Sequence, residues 1–411
     1  LENEHFDLKS NYMEINTNPQ KIQEVLQRGV KDIVEREHLE EQMKSGKQLR
    51  IKLGIDPTAA DLHLGHSVVL RKLAQFQELG HKAVLIIGDF TTRIGDPSGR
   101  TNTRKPLTEE EIKQNMKSYI DQASMVIDIK SAEIHYNGEW YEQKPMSFLM
   151  DLAGRFTVAR MLDREDFQNR IKQGLDVSLL ELLYPLLQGY DSVACKADVE
   201  LGGYDQRLNV LFARRVQKKF NMEEQDVLTV PLLVGTDGEK KMSKSVGNYI
   251  RLTEEPKKMY AQLMTIPDSL MWNYFELLTV KPKSEIDCLK TEVADSKKHP
   301  RDVKMALAGE IVAGYRNQGA AEEAKEEFIN VAQLGALPSD IPVVKAPYGE
   351  ANILDFLVSI SAAPSKSEAK RLVIQNGVRI DDVVRNEWRD VVAVKRGQVV
   401  QIGKNKFFRI G

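Results

Sequence analysis

Cysteine is scarce in this chain: two residues, Cys195 and Cys288, in 411. That excludes a disulfide framework and a cysteine-rich zinc site, and it fits a reducing compartment. Long hydrophobic runs are missing too. No stretch offers the 18 or so consecutive apolar residues of a membrane-spanning helix, and Ala83–Ile87 is a typical buried run, far too short to span a bilayer. Leu1-Glu2-Asn3-Glu4 is polar and acidic and does not read as a signal peptide. Nor does one charge sign dominate, the formal net charge being -2. What remains is an ordinary globular composition with length for two or three domains, and a cytoplasmic location is expected.

The near-neutral total hides an asymmetry. Residues 351–411 carry 11 Lys and Arg against 6 Asp and Glu, and the rest of the chain 47 against 54. A basic module on an acidic body suits a polyanion-binding appendage, although a small domain of this charge is often merely soluble.

Residues 20–45 have a charge-rich helical pattern. Arg50–Ile55 reads as a strand. In His66–Leu79 the apolar residues Val69, Leu70, Leu73 and Phe76 recur at helical spacing, ending at Gly80. Lys82–Ile87 is a buried strand, which completes one strand–helix–strand crossover of a parallel sheet. Thr108-Glu109-Glu110-Glu111 is a capping box opening a helix. A helix over Leu179–Ser192, a strand over Asp198–Leu201, a helix over Tyr204–Phe220 and a strand over Leu228–Val234 follow. The pattern predicts an α/β fold: a doubly wound parallel-sheet domain over 1–252 with a mainly helical insertion near 105–180. From 253 to about 337 an α-helical domain is expected. The proline-bearing segment 338–349 is the best linker, and a small α+β domain over 351–411 closes the chain.

Two motifs carry chemistry. Asp56-Pro57-Thr58 and His63-Leu64-Gly65-His66 sit where a strand ends and a helix begins, a place where backbone N–H groups and the helix dipole favour phosphate. Gly65 allows close approach to a nucleotide. His63 and His66, three apart, share a helix face and can donate to phosphate oxygens as charge grows there. Alone, such a pair is usually two surface histidines. The second motif is Lys241-Met242-Ser243-Lys244-Ser245, whose lysines can clamp phosphates during displacement of pyrophosphate. Alone, it is an exposed basic loop.

Together and in this order the motifs resemble the HIGH and KMSKS signatures of class I aminoacyl-tRNA synthetases, which implies a Rossmann-like catalytic domain. Further segments resemble the tyrosyl members: Gly95-Asp96-Pro97-Ser98-Gly99-Arg100, Gly202-Gly203-Tyr204-Asp205-Gln206, and Tyr184, Gln188 and Asp191 at i, i+4 and i+7 on one helix face. The resemblance implies that Thr58, Gly65, Arg100, Arg104, Ser243 and Ser245 join His63, His66, Lys241 and Lys244 around ATP. It places Asp56, Asp96, Tyr184, Gln188, Asp191, Asp205 and Gln206 around tyrosine, with Asp191 taking the phenol and Tyr184, Gln188 and Asp96 the ammonium. Lys52 stands where many family members have a tyrosine, so either it points away or the hydroxyl is bound differently. Tyr204 stands where Ser or Thr is usual.

The last 60 residues resemble a ribosomal-protein-S-four-like RNA-binding module. Lys366, Lys370, Arg371 and Arg379 would meet RNA phosphates. ATP with magnesium, tyrosine and tRNA(Tyr) are the implied substrates, a homodimer the implied assembly, and no carboxylate cluster marks a dedicated metal site. A tryptophanyl enzyme is the nearest alternative, although Asp191 and the Gly95–Gly99 loop argue against it. A nucleotidyltransferase and a non-catalytic RNA-binding relative are the others.

Overall fold

The computed structural model describes residues 14–96, 107–163, 165–334, 341–403 and 406–411. Its chain divides into two compact units, Leu1–Gln318 and Gly319–Gly411.

The first unit is built on six strands: β1 (Asp32–Val34), β2 (Arg50–Ile55), β3 (Lys82–Ile87), β4 (Glu133–Tyr136), β5 (Val199–Gly203) and β6 (Asp226–Val230). They lie in the order β1-β6-β5-β2-β3-β4. All pairings are parallel except β1 against β6. From β2 the chain winds outward to β3 and β4, then returns to the other side for β5 and β6. The switch point of this doubly wound sheet therefore lies between β2 and β5, where such folds open a crevice beyond the carboxyl ends of the strands. Strands buried on both faces need continuous apolar sequence, and β3 and β6 supply it, with Ala83–Ile87 and Val227, Leu228 and Val230 buried.

The sequence expectations hold for β2, β3 and the helix between them, whereas the strand expected over Leu228–Val234 runs from Asp226 to Val230 and the helix expected from Tyr204 begins at Arg207. The charge-rich helical stretch at 20–45 is two helices, Pro19–Gln27 and Arg36–Lys44, with β1 between them. Three residues at a sheet edge are too few to show a period of two. The insertion expected to be mainly helical also contributes β4, the opposite edge.

The helices Pro256–Met264, Met271–Leu278, Lys283–Ala294 and Pro300–Tyr315 were expected to form a domain of their own. They fall within the first unit and bond to the sheet region: Tyr274 OH donates to Val234 O at 2.7 Å and Tyr315 OH to Ser67 Oγ at 2.7 Å. The segment 338–349 lies partly outside the described residues.

In the second unit, strands at 343–344, 378–380, 383–385, 399–402 and 406–410 form one sheet, and 349–352 pairs with 391–394. The helices Ile353–Ser359 and Lys366–Ile374 pack through Phe356, Leu357, Ala369 and Val373 onto Val378, Val400 and Ile410. Ser365 caps the second of these helices by accepting from Glu368 N, as its sequence predicts.

The Leu179–Ala194 helix lies close against Arg207–Lys219 because Gly189 has no side chain. A Cβ there would stand 2.5 Å from Val216 Cγ2 and 3.1 Å from Ala213 Cα. Gly189→Ala is therefore expected to destabilise the protein by about 1–3 kcal/mol through overpacking. Calorimetry should show a midpoint lowered by a few degrees; an unchanged midpoint would mean that the helices separate freely.

Candidate active site

The carboxyl ends of β2, β3, β5 and β6 open into a cavity of about 820 Å³, within the range of small-molecule sites. It is lined by Asp56, Thr58, His63, Gly65, His66, Asp96, Tyr184, Gln188, Asp191, Asp205, Gln206, Lys241, Ser243, Lys244 and Ser245. The candidates from the HLGH, KMSKS and helix-face motifs thus converge. Arg100 and Arg104, with Pro97–Gly99, lie outside the described residues.

His63 is the N-cap of the Leu64–Glu78 helix. Its Nδ1 accepts from Gly65 N at 3.1 Å, while His63 N donates to His66 Nδ1 at 3.2 Å. The two imidazoles form a reciprocal capping box with ring centroids 3.9 Å apart. Burial, then each other's charge and that of Lys244, push His63 down to about 2; burial and Lys244 push His66 down to about 4. Both rings are therefore neutral. Since Nδ1 of each is an acceptor, the proton sits on Nε2, and each ring keeps one N–H to donate.

The lysine motif is tied to this cap by backbone. Leu64 N donates to Ile250 O at 2.9 Å and Leu252 N to Leu62 O at 3.0 Å, so the segment leaving the lysine loop forms an antiparallel bridge with the segment entering the histidine helix. Buried Asn248 shapes the loop: its Oδ1 accepts from Ser243 N at 2.8 Å and its Nδ2 donates to Asp237 Oδ2 at 2.9 Å. A Cβ on Gly235 would collide with this amide at 2.3 Å. Lys241 Nζ rests on Asp205 Oδ2 at 2.9 Å. Lys244 is shifted down by burial foremost, with Arg251 adding to the effect.

Deeper in the cavity, Asp191 Oδ1 accepts from Tyr141 OH at 2.7 Å and Trp140 Nε1 at 3.0 Å, and its Oδ2 accepts from Asn137 Nδ2 at 3.2 Å. A carboxylate has about four acceptor positions. Among the described residues three are used, which leaves one on Oδ2 for a ligand hydroxyl. Burial pushes Asp191 up to about 6, against the pull of Lys52 and of its donors. Asp56 accepts from Tyr184 OH at 2.9 Å and Thr91 Oγ1 at 2.9 Å. Burial and the neighbouring Asp96 push it up to about 7. Only glycine fits at position 88, because a Cβ would stand 2.0 Å from Asp56 Oδ1. Gln206 Nε2 donates to Asp96 Oδ2 at 2.6 Å and Asn209 Nδ2 to Asp96 Oδ1 at 3.2 Å. Lys52 does point away from the cavity: it is fully buried behind the wall, paired with Glu200 at 2.9 Å.

Sequence reasoning missed Asn137, Trp140, Tyr141, Thr91, Asn209 and Glu200. The run Asn137-Gly138-Glu139-Trp140-Tyr141, polar and aromatic directly after a strand, is the one signal that could have drawn attention.

In the second unit, Lys366 pairs with Asp355, Arg371 Nη2 with Glu368 Oε1 at 2.6 Å, and Lys370 Nζ lies 4.0 Å from the Trp388 ring centre. Arg379 is exposed on its strand. Lys366, Lys370 and Arg371 share one helix.

Comparison with known proteins gives the site a family. The family model described as tRNA synthetases class I (W and Y) matches residues 43–333. The tyrosine–tRNA ligase of Thermotoga maritima is 48% identical over 392 residues, covering 95% of this chain and 98% of the relative. That of Bordetella avium is 50% identical over 366 residues, 89% of each. The chain belongs to the class I tyrosine–tRNA ligases. Solved structures agree in fold: a C-terminally truncated mitochondrial tyrosyl-tRNA synthetase of Aspergillus nidulans (TM-score 0.64, 23% identity, 76% of this chain and 94% of that one) and tyrosyl-tRNA synthetase complexed with L-tyrosine from Archaeoglobus fulgidus (0.62, 21%, 75% and 100%).

In this class I site the acid at position 56 works against the fold. Its folded pKa of about 7 lies above the ordinary carboxylate value, so the folded state holds a proton that the unfolded chain has released. Stability from this group is therefore lost as pH rises from about 4 to about 7. Asp56→Asn should be more stable relative to the parent at pH 8 than at pH 5, by on the order of 2 kcal/mol. Thermal midpoints at the two pH values test this. A gap of the same size at both would show that Asp56 titrates normally.

Proposed function

We infer that this chain activates L-tyrosine with ATP, releasing pyrophosphate, and then transfers tyrosine from the adenylate to the terminal ribose of tRNA. The observation that carries the reading is the backbone pairing of Leu62–Leu64 with Ile250–Leu252. It brings two neutral imidazoles and two loop lysines to the rim of one cavity whose floor is a carboxylate with one open acceptor position.

The tyrosine phenol donates to Asp191 Oδ2. Phenylalanine cannot, and a buried carboxylate left short of a partner disfavours it. Asp96, Gln188 and the Asp56–Tyr184 pair receive the ammonium. The tyrosine carboxylate then attacks the α-phosphorus in line with the leaving pyrophosphate. The Nε2–H groups of His63 and His66 donate to phosphate oxygens, and Lys241 and Lys244 follow the charge that develops on pyrophosphate. Thr58, Gly65, Ser243 and Ser245 complete the nucleotide's surroundings, joined by Arg100 and Arg104. Asp205 and Gln206 face the ribose and the substrate. Lys241 leaves Asp205 as the triphosphate arrives; this ion pair is half-exposed, and such pairs contribute only about 0–1 kcal/mol.

Among the described residues no three His, Cys, Asp or Glu side chains converge to hold a metal. Magnesium accompanies ATP. Lys366, Lys370, Arg371 and Arg379 meet the phosphates of tRNA(Tyr), whose anticodon faces the helical region after residue 253. The working form is a homodimer in the cytoplasm. No described helix is long and apolar enough to cross a membrane.

Pyrophosphate exchange across the twenty amino acids should respond to tyrosine alone; a response to tryptophan instead would overturn the specificity. Asp191→Ala should abolish tyrosine-dependent exchange while ATP still binds in calorimetry. His63→Asn keeps an oxygen to cap the helix but has no Nε2–H. Its kcat should fall about 10²–10³-fold with the thermal midpoint nearly unchanged, as for loss of one donor to a developing oxyanion. A parent-like kcat would remove His63 from the chemistry.

A further inference from the structure

We propose that the buried ion pair Lys52–Glu200 is the positioning device of the amino-acid pocket: it turns the Gln188 amide so that its oxygen receives the substrate's ammonium. This rests on the tyrosine-activating reading above and adds two residues to it.

Lys52 on β2 and Glu200 on β5 are cross-strand neighbours at the switch point of the sheet, both essentially without solvent exposure. An ammonium group has three N–H donors. Those of Lys52 go to Gln188 O at 2.9 Å, Ser192 Oγ at 2.7 Å and Glu200 Oε1 at 2.9 Å. The lysine thereby holds the helix carrying Tyr184, Gln188 and Asp191 to the sheet. Glu200 Oε2 accepts from Ser192 Oγ at 3.1 Å and from Gln225 Nε2, and Oε1 accepts from Gln188 Nε2 at 3.3 Å.

An ionised carboxylate only accepts hydrogen bonds, so it fixes the Gln188 amide by its nitrogen and turns the oxygen the other way. Gln188 Oε1 is buried and has no partner among the described residues. Gln225 Oε1 shares that condition, but Gln188 is the one that lines the cavity. An acceptor stripped of water and left unpaired destabilises the unliganded protein and favours a ligand that donates to it. The neighbouring polar groups of the wall include the carboxyls of Asp56 and Asp96, and the hydroxyls of Tyr184 and Thr91 both already donate to Asp56. That set suits a cation. Lys52 holds a positive charge behind the wall, spent on its own carboxylate, and so does not repel the ammonium.

Three ligands separate positioning from general support of the fold. Tyrosine and tyramine both carry the ammonium; 3-(4-hydroxyphenyl)propionate lacks it. The test variant is Lys52→Met/Glu200→Met, since buried ion pairs exchanged for apolar groups of similar volume often leave stability intact. Calorimetric titration should show tyrosine and tyramine weakened roughly 5- to 20-fold, the order expected for a misdirected hydrogen bond to a charged group. The propionate should bind as to the parent. Glu200→Gln, whose amide oxygen can still accept from Gln188, should recover part of the tyramine affinity. If the double variant does not fold, Glu200→Leu is read in the same way. Parallel weakening of all three ligands, or no change in any, overturns the proposal. A parent that fails to bind tyrosine and tyramine would instead overturn the reading of the site.

Discussion

The meeting of the histidine and lysine motifs, on which the proposed chemistry rests, depends on two short backbone bonds, Leu64 N to Ile250 O and Leu252 N to Leu62 O. The histidine motif belongs to the first crossover of the sheet, and the lysine motif follows its last strand. Side chains alone would hold such distant segments loosely, because long lysines keep their rotamer freedom at a surface. A ladder of main-chain bonds fixes their register whatever the side chains do. The lysine segment is held in turn by its own backbone, with Val234 bridged to Lys241 and Ser243 N bonded to Asn248, while the Lys241 side chain is half-exposed. That division suits a reaction in which charge moves outward onto a departing pyrophosphate while the attacked phosphorus stays in place.

Below this rim the fold accepts unfavourable electrostatics. Asp56 and Asp191 are both pushed upward by burial, and Lys52 with Glu200 forms an ion pair out of reach of water. Desolvating two charges is offset by their attraction only when the remaining donors and acceptors are also satisfied. Here nearly all are: the lysine spends three donors, and the glutamate receives four. The unsatisfied remainder is instructive. Among the described residues, one acceptor position on Asp191 and the buried oxygen of Gln188 are left without a donor. Among the described residues the Gln225 oxygen is unpaired as well, but Gln225 does not line the cavity, so the Gln188 oxygen is the one we assign to a ligand.

The sequence made the framework legible because the framework is repetitive. Continuous apolar runs such as Ala83–Ile87 mark a doubly buried strand, and Thr108 and Ser365 announce helix starts by their caps. The chemical residues were legible where they sit in contiguous motifs or on one helix face, as with Tyr184, Gln188 and Asp191. What escaped has a common cause. Asn137, Trp140 and Tyr141 come from a segment with no periodic signal, and their role exists only once β4 brings them beside Asp191. Lys52 shows the limit most clearly. A lysine in a strand suggests exposure, and nothing local reports that the residue paired with it across the sheet is Glu200, 148 positions later. Burial of a charge is a property of the register between strands, which hydrophobic periodicity does not encode. The attachment of the helices after residue 253 to the sheet region escaped for a similar reason: the bonds that make it, from Tyr274 and Tyr315, are long-range and polar.

In the proposed reaction the imidazoles and the lysines at the rim divide the work by charge. Buried histidines with depressed basicity bring donors without a positive charge, so they do not hold ATP so tightly that the ground state gains as much as the transition state. The charged groups sit further out, where solvent weakens their hold on the bound triphosphate until the lysines close on it. Placing neutral donors at the attacked phosphorus and cations at the leaving group matches the direction in which negative charge travels. Reversing the two, with protonated imidazoles inside, would require a buried countercharge, and the carboxylates of the cavity are already committed to the amino acid.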